Sequence, residues 1–180
     1  TPVSYASVAN LSDATEATLN TSRTTVAGSN AHGSFNLENT SNIFNFSGGT
    51  IRIYDVTGTT ANEAFDVKAS AANINVTGGM LEIIPRTGSA QPDATYYAVH
   101  STAPLGNFLV NRIDGTAYVR MNTAVTVLNS VNIASGTLNA NNNDLTAGGN
   151  FTIEPGGEYL PGTNTTTMNG NGPQTFSVKT

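Results

Sequence analysis

Cysteine and tryptophan are absent from this chain of 180 residues, and charged side chains make up only 11% of it. The lack of cysteine excludes disulfides, thiolate metal sites and a cysteine nucleophile. The charged fraction is well below the roughly 25% of an average soluble protein. The 7 Lys and Arg residues against 12 Asp and Glu give a net charge of −5. Because no basic run exists, nucleic acid is not an expected partner.

Long hydrophobic runs are also absent, since no stretch approaches the ~18 apolar residues of a membrane span. Threonine, asparagine and glycine dominate the polar part of the chain instead. Threonine favours strands, whereas asparagine and glycine favour the turns between them. A cysteine-free chain of this composition is typical of extracellular bacterial proteins, in which a repetitive core replaces disulfides. We therefore expect an extracellular location.

A short segment of the chain occurs three times. Residues 45–53 read Asn-Phe-Ser-Gly-Gly-Thr-Ile-Arg-Ile, residues 75–83 read Asn-Val-Thr-Gly-Gly-Met-Leu-Glu-Ile, and residues 132–138 repeat the pattern loosely. The second copy follows the first by about 30 residues, and the third follows close to two periods later. Each copy reads as a strand, a tight turn and a second strand. A fixed period of this size is typical of stacked repeats.

The pattern outside the repeat predicts the fold class. Short segments alternate between apolar and polar residues, and no window has a convincing helical period. We predict an all-β protein, a right-handed parallel β-helix (β-solenoid) with about 20–30 residues per rung and little or no helix. Residues 1–32 are expected to form an N-terminal cap or an early irregular rung, and residues 33–180 the solenoid.

The repeat also predicts which residues form the turns and the polar ladder. The two Gly-Gly pairs should occupy stacked turns on one edge of the solenoid, and the matching asparagines should form a ladder of stacked side chains. The predicted turn and ladder residues are Asn45, Gly48, Gly49, Asn75, Gly78, Gly79, Asn132 and Gly136.

A family resemblance rests on the last third of the chain. The residues that carry it are 107–111 (Asn-Phe-Leu-Val-Asn), 127–138, 145–151, 167–170 (Thr-Met-Asn-Gly) and 172–176 (Gly-Pro-Gln-Thr-Phe). This part, residues 105–178, resembles a module of large repetitive Bacteroidetes surface proteins, which include gliding-motility adhesins exported by type 9 secretion. Met168 departs from the pattern, because the family usually has phenylalanine there.

The resemblance implies a segment of a bacterial cell-surface adhesin. In such proteins the Gln-Thr-Phe element opens a new unit, and residues 176–179 alternate like the first strand of another rung. The chain is therefore expected to be a fragment of a longer repeat array. Its expected partners are adjacent repeats of the same polypeptide, neighbouring surface-protein chains and cell-surface glycans.

Catalytic chemistry finds little support in the sequence. A Ser/His/Asp triad could be composed of Ser101, His100 and Asp93, but adjacent residues of a strand point to opposite faces. Asp66, Asp93 and Asp114 are expected in or beside loops, without an acid cluster. Arg52 and Glu82 occupy equivalent positions one period apart and predict an exposed ion pair between rungs. We expect no enzymatic activity and no cofactor.

Two binding alternatives remain open at the level of sequence. Asn143 and Asp144 belong to the richest local supply of oxygen ligands for Ca²⁺, although a turn with left-handed residues explains them as well. Tyr96 and Tyr97 form the one adjacent aromatic pair, and the exposed member, near Asp93, could stack on a sugar ring. The favoured function is a non-enzymatic stalk or adhesin shaft. The alternative is a carbohydrate-binding or carbohydrate-active β-helix domain, and an ice-binding solenoid lacks the regular Thr-x-Thr rows that it would need.

Overall fold

A computed structural model describes residues 8–11, 16–19, 35–37, 39–53, 63–83, 96–111 and 118–180. Eighteen strands and a single 3-10 turn, Ala71–Asn73, make up the secondary structure of this part of the chain. The strands are β1 Val8–Leu11, β2 Glu16–Leu19, β3 Phe35–Leu37, β4 Ile43–Phe46, β5 Thr50–Ile53, β6 Glu63–Val67, β7 Ile74–Val76, β8 Met80–Ile83, β9 Tyr96–Ser101, β10 Asn107–Asn111, β11 Tyr118–Met121, β12 Val125–Val127, β13 Val131–Asn139, β14 Leu145–Ala147, β15 Phe151–Ile153, β16 Gly157–Leu160, β17 Thr166–Met168 and β18 Phe176–Val178.

The strands stack in parallel to form three faces of a β-solenoid. Face one holds the sheets β1-β4-β7 and β12-β14-β17, face two holds β2-β5-β8-β10-β13-β15-β18, and face three holds β3-β6-β9-β11-β13-β16. Strand β13 belongs to two faces because it continues through the corner between them. Each named strand pairing is parallel, so the predicted all-β solenoid is confirmed. Its right-handedness stays a prediction.

The predicted N-terminal region is described in part. Within residues 1–32 the structure describes β1, which pairs with β4, and β2, which pairs with β5. These two strands continue faces one and two. The remainder of the predicted cap lies outside the described residues.

The length of a turn changes along the chain. On face two Ile51 pairs with Leu81, Leu81 with Phe108, Phe108 with Val131 and Val131 with Phe151. The first of these turns takes 30 residues, as the pair Arg52 and Glu82 shows. The turns then shorten to about 20 residues between Val131 and Phe151, and the last described turn, from Phe151 to Phe176, takes 25. All of these lengths lie within the predicted range.

The difference in length arises in two places. Between faces two and three, residues 54–62, 84–95 and 112–117 separate successive strands but none interrupts β13. The path from face three back to face two varies as well, since β6 ends at Val67 and β8 begins at Met80, whereas β9 ends at Ser101 and β10 begins at Asn107.

Alternation within each strand produces the core. The four residues of β5 and of β11 read half-buried, buried, half-buried, buried, which is the period of two expected when one side of a strand faces the interior. Ile51, Ile53, Leu81 and Val110 are all fully buried. One hydrophobic column therefore runs along the solenoid axis, and each turn buries its apolar side against the next.

The corner between faces one and two is built on glycine. Gly49 and Gly79 both adopt positive φ, at 78° and 82°. Met80 donates its backbone N–H to the Gly49 carbonyl at 2.9 Å, so the two Gly-Gly turns stack as predicted. A Cβ added at Gly78 would lie 2.4 Å from the Ser47 carbonyl oxygen, closer than real Cβ contacts. Glycine is required here because adjacent turns touch through their backbones.

The third copy of the repeat does not stack on the first two, contrary to the predicted alignment. Asn45 pairs with Asn75 on face one, but Asn132 lies on face two in register with Leu109. Gly136 adopts a positive φ of 75° at the corner between faces two and three, away from the Gly-Gly turns. The physical reason is the shortening of the turns. The period of the first two copies cannot be extrapolated across turns that take fewer residues.

Aromatic rings fill the interior near the first described turns. Phe35 stacks on Phe65 with ring centroids 5.2 Å apart, and Phe44 meets Phe65 edge to face at 6.3 Å. Phe46 packs beside Phe44 at 5.8 Å. Stacked and edge-to-face pairs of this kind add about 0.5–1.5 kcal/mol each beyond area burial.

Candidate functional site

The two adjacent tyrosines have different environments. Tyr97 is 1% exposed and lies in the core, whereas Tyr96 is half-buried on the outer side of face three. Tyr118 pairs with Tyr96 from the next turn, and their ring centroids are 5.9 Å apart. The Arg120 guanidinium lies 4.3 Å from the centroid of the Tyr96 ring, a cation–π contact. Tyr96, Tyr118 and Arg120 are called the tyrosine patch below.

Sequence reasoning missed two members of the tyrosine patch. The signal was present, because β9 begins Tyr-Tyr-Ala-Val and β11 reads Tyr-Val-Arg-Met, with the same alternation. The two strands were not aligned because Tyr96 and Tyr118 lie closer together in the sequence than the period of the Gly-Gly repeat. Asp93, the third predicted ligand-binding residue, lies outside the described residues, as does Asp114.

A buried carboxylate lies on the same face. Asp66 is 1% exposed, and its Oδ2 lies 2.7 Å from the Lys68 ammonium. His100 pairs with Asp66 in register from the next turn, and its Nδ1 lies 3.6 Å from the Asp66 Oδ1. Asp66, which was expected in or beside a loop, is the penultimate residue of a strand. It lies inside β6, and its charge is balanced by Lys68.

The arrangement around His100 does not form a catalytic triad. Ser101 is buried and donates its hydroxyl to the Ala103 carbonyl at 2.7 Å. Its backbone N–H is accepted by the Thr123 hydroxyl at 3.0 Å. His100 is half-buried on the opposite side of β9, as the alternation of a strand requires. The carboxylate nearest to His100 among the described residues is Asp66 rather than the predicted Asp93.

The ion pair between Arg52 and Glu82 forms as predicted but is not exposed. The Arg52 Nε lies 2.5 Å from the Glu82 Oε2, and the side chains are 24% and 7% exposed. Glu82 is flanked in register by Arg52 on one side and Leu109 on the other. Long side chains of the neighbouring strands thus cover the carboxylate. The loss of one partner would leave a poorly solvated charge.

The asparagine-rich turn is held by its own side chains. Asn141 and Asn142 adopt left-handed φ values of 52° and 59°. Asn143 donates its amide to the carbonyls of Met121 at 3.0 Å, Ala140 at 3.3 Å and Asn141 at 3.1 Å. Asp144 accepts the Thr165 backbone N–H at 2.9 Å.

These contacts bear on the Ca²⁺ alternative. The Asn143 amide nitrogen and one Asp144 oxygen take part in hydrogen bonds that hold the turn and its neighbour. Among the described residues no group of three or more His, Cys, Asp or Glu side chains converges. Turn formation therefore accounts for both residues.

Polar side chains bridge one turn to the next, which the sequence pattern does not predict. Asn107 donates its amide to the Gly79 carbonyl at 3.0 Å and accepts the Ser130 N–H at 3.2 Å, so that it joins three turns. Gln174 donates to the carbonyls of Ala147 at 3.0 Å and Gly149 at 2.7 Å. Such bonds satisfy backbone groups at corners, where the strand ladders end.

A shallow depression lies where face one is interrupted. Between β7 and β12 this face is represented, within the described chain, by Leu105, which pairs with Val127. The depression has a volume of about 270 Å³ and is lined by small or apolar side chains that include Ala103, Pro104 and Leu128. No charged side chain is among its described lining, and its polar groups are the hydroxyls of Ser101, Thr102 and Thr126.

The chain was compared with known proteins at three levels. No family model matches it, and neither does any curated protein or solved structure. In the part of the chain that the structure describes, no helix has the length and apolar character needed to cross a membrane.

Proposed function

We propose that this chain is a non-enzymatic structural and adhesive segment of a large bacterial cell-surface protein. It acts outside the cell as a stalk or adhesin shaft. The observation that carries the proposal is the continuous parallel pairing of face two from β2 to β18, with one register shift after Val110. A column of stacked turns with one continuous core keeps its two ends at a fixed distance. Its length grows with the number of turns.

The buried charges support a structural role. Asp66 and Glu82 are the two buried carboxylates of the described part of the chain, and each lies within 2.7 Å of a basic side chain. A catalytic carboxylate pair would need both groups to face a shared opening for substrate. Asp66 lies on face three and Glu82 on face two, so they cannot act on one sugar. Incubation with pectin or alginate should release no new reducing ends, and measurable cleavage would contradict the proposal.

Rigidity of the shaft can be measured directly because the chain has no native cysteine. Spin labels at Thr77→Cys and Asn169→Cys would sit on exposed positions of the same corner, several turns apart. Double electron–electron resonance should give one narrow distance distribution. A broad or multimodal distribution would show that the turns move relative to one another, and the shaft function would be untenable.

Type 9 export, gliding and surface location rest on the resemblance of residues 105–178 to Bacteroidetes adhesins. An antibody raised against this segment should label intact cells of the source organism as strongly as permeabilised cells. Labelling that requires permeabilisation would place the protein inside the cell and contradict the location.

A second candidate function is glycan binding at the tyrosine patch. Tyr96 and Tyr118 present two half-buried rings from adjacent turns, with Arg120 and Asn122 beside them as polar groups. Aromatic faces flanked by hydrogen-bonding groups are the usual means of holding a sugar. A glycan array probed with the native chain and with Tyr118→Ala tests this function. Binding that survives in Thr126→Ala, on face one, but is lost in Tyr118→Ala would support it.

A further inference from the structure

Arg120 of the tyrosine patch differs from the other basic residues that the structure describes. Every other described Lys or Arg side chain lies beside a carboxylate, in the pairs Arg52–Glu82, Lys68–Asp66 and Lys179–Glu154. Arg120 is half-buried and has no carboxylate within ion-pair distance among the described residues. A guanidinium without a counter-charge can accept an anion from outside the protein.

The strands beside Arg120 place no acid opposite it. Arg120 is flanked in register by Ala98 on β9 and by Asn139 on β13. Glu158, a carboxylate further along face three, lies opposite Thr137 and accepts the Thr137 hydroxyl at 2.9 Å. The positive charge of Arg120 is therefore not compensated by its neighbours, although the whole chain carries −5.

Two contacts hold the Arg120 guanidinium in a fixed orientation. Its Nε donates to the Asn122 Oδ1 at 3.0 Å, and its central carbon lies 4.3 Å from the centroid of the Tyr96 ring. Its two terminal nitrogens make no hydrogen bond to a described residue. Two adjacent N–H donors in one plane match the two oxygens of a carboxylate. Because the guanidinium is already oriented, it loses little freedom when an anion binds.

The two tyrosines of the patch have different surroundings. Arg120 covers one face of the Tyr96 ring. Tyr118 has one ring contact among the described residues, with Tyr96, and the two ring planes are tilted by 33°. Neither hydroxyl bonds to a described residue. Tyr118 is thus the ring that remains to pack against a sugar, and Tyr96 is a positioning residue for the guanidinium.

We propose that the tyrosine patch selects acidic glycans, with the carboxylate of a uronic acid bound by Arg120 and the sugar ring packed on Tyr118. This inference rests on the second candidate function, glycan binding at the patch, and adds the chemical class of the ligand. A neutral sugar that covers the patch removes water from the guanidinium without replacing its hydrogen bonds. An acidic sugar replaces them, so the two classes of ligand differ in affinity.

Two ligands that differ only in their carboxyl groups test the proposal on the native chain. Oligogalacturonate and its fully methyl-esterified form have the same sugar backbone, and only the first is charged. In isothermal titration calorimetry the acidic form should have a dissociation constant at least about tenfold lower than that of the ester. Added salt should reduce this difference. Equal affinities, tighter binding of the ester or no binding of oligogalacturonate would overturn the proposal.

Substitutions then test whether Arg120 is the source of the selectivity. Arg120→Gln should bring the two ligands to equal affinity, and Arg120→Lys, which keeps the charge but loses the planar fork, should retain part of the preference. Lys179→Gln is the matched control, because it removes the same charge from an exposed pair that follows β18 on face two, and both affinities should stay unchanged. Circular dichroism checks that the variants are folded. An unchanged preference in Arg120→Gln, or an equal loss in Lys179→Gln, would contradict the role of Arg120.

The same measurements separate the ligand class from the candidate function. If the native chain binds both ligands equally and Tyr118→Ala binds neither, the patch binds glycans but does not select acidic ones. If the native chain binds neither ligand, selection of acidic glycans is wrong, and the neutral members of the glycan array decide whether the patch binds glycans at all. None of these results affects the measurement of shaft rigidity.

Discussion

The two halves of the solenoid hold their turns together by different means. Between residues 35 and 83 the interior contains four phenylalanine rings, and the turn from Arg52 to Glu82 takes 30 residues. The shortest turn of face two, from β13 to β15, lies between residues 125 and 178. Many buried side chains of this region are small, such as those of Val125, Val127 and Ala147. Side-chain amides bridge adjacent turns here through backbone carbonyls. Apolar volume stabilises the first region, and these amides contribute more in the second.

Loss of an internal aromatic ring should have the largest effect. Phe44→Ala removes a fully buried ring that contacts Phe35 and Phe65, and we expect a loss of about 3–5 kcal/mol in the free energy of unfolding. Phe176→Ala is the matched control, because its ring is already mostly exposed, and it should cost under about 1 kcal/mol. Urea denaturation followed by circular dichroism measures both. Equal costs would mean that the aromatic cluster does not dominate the first region.

The glycine corner should be equally sensitive in both regions. A Cβ at Gly78 would lie 2.4 Å from the Ser47 carbonyl oxygen, and one at Gly148 would lie 2.1 Å from that of Leu128. Each substitution to alanine should cost about 1–3 kcal/mol, because turns in backbone contact must separate. Gly172→Ala has nothing within 4 Å and should be nearly neutral. A large difference in thermal stability between Gly78→Ala and Gly148→Ala would show that the stacking is looser in one half.

Loss of a bridging amide should distinguish the halves. Asn143→Ala leaves the carbonyls of Met121, Ala140 and Asn141 without this donor and should cost about 1–3 kcal/mol. Asn73→Ala in the first region removes one bond, to the Thr40 carbonyl at 3.1 Å, and should cost about 0.5–1.5 kcal/mol. Hydrogen exchange should show faster opening of residues 121–145 in the first variant. If both variants exchange alike, the amides do not differ in importance.

The ion pairs should give the smallest effects, in a defined order. Lys179→Ala removes an exposed pair with Glu154 and should cost about 0.2–1 kcal/mol. Arg52→Ala should cost more, because Glu82 is nearly buried and would lose its basic partner. Added salt should reduce the loss in free energy of unfolding caused by Lys179→Ala more than the loss caused by Arg52→Ala, because the first pair is exposed to solvent ions. The reverse order would mean that Glu82 is better solvated than its burial indicates.

The fold could be predicted from the sequence through patterns that are local. Alternation in β5 and β8 and the shared Gly-Gly turns determine their pairing in register, because strand and turn recur at the same separation. The alignment of Asn132 could not be predicted, since the segments between faces two and three differ in length and leave no trace in the strand pattern. Of the tyrosine patch, Tyr96 alone could be predicted from the sequence, for the same reason: Tyr118 becomes a neighbour of Tyr96 only when the length of that turn is known.

Bridging side chains and buried charges are harder to predict from a sequence than strands and turns. An asparagine at the start of a strand, such as Asn107, looks like any turn residue until the carbonyl of the adjacent turn is known. The burial of Asp66 likewise depends on its neighbours in other turns, whereas its own strand shows only a polar residue between Phe65 and Val67. Alternation specifies the side of a strand on which a residue lies. The degree to which that side is covered is a property of the stack.

The corner between faces two and three has a practical consequence for protein engineering. The strands on either side of it stay paired in parallel although residues 54–62, 84–95 and 112–117 separate them in three turns and none interrupts β13. The number of residues at this corner is therefore decoupled from the packing of neighbouring turns. An epitope or a peptide ligand inserted between Ser135 and Gly136 would enter a corner at which the number of residues already differs from one described turn to the next. Insertions at the same corner of several successive turns would display the inserted peptides in a line, separated by the spacing of the strands.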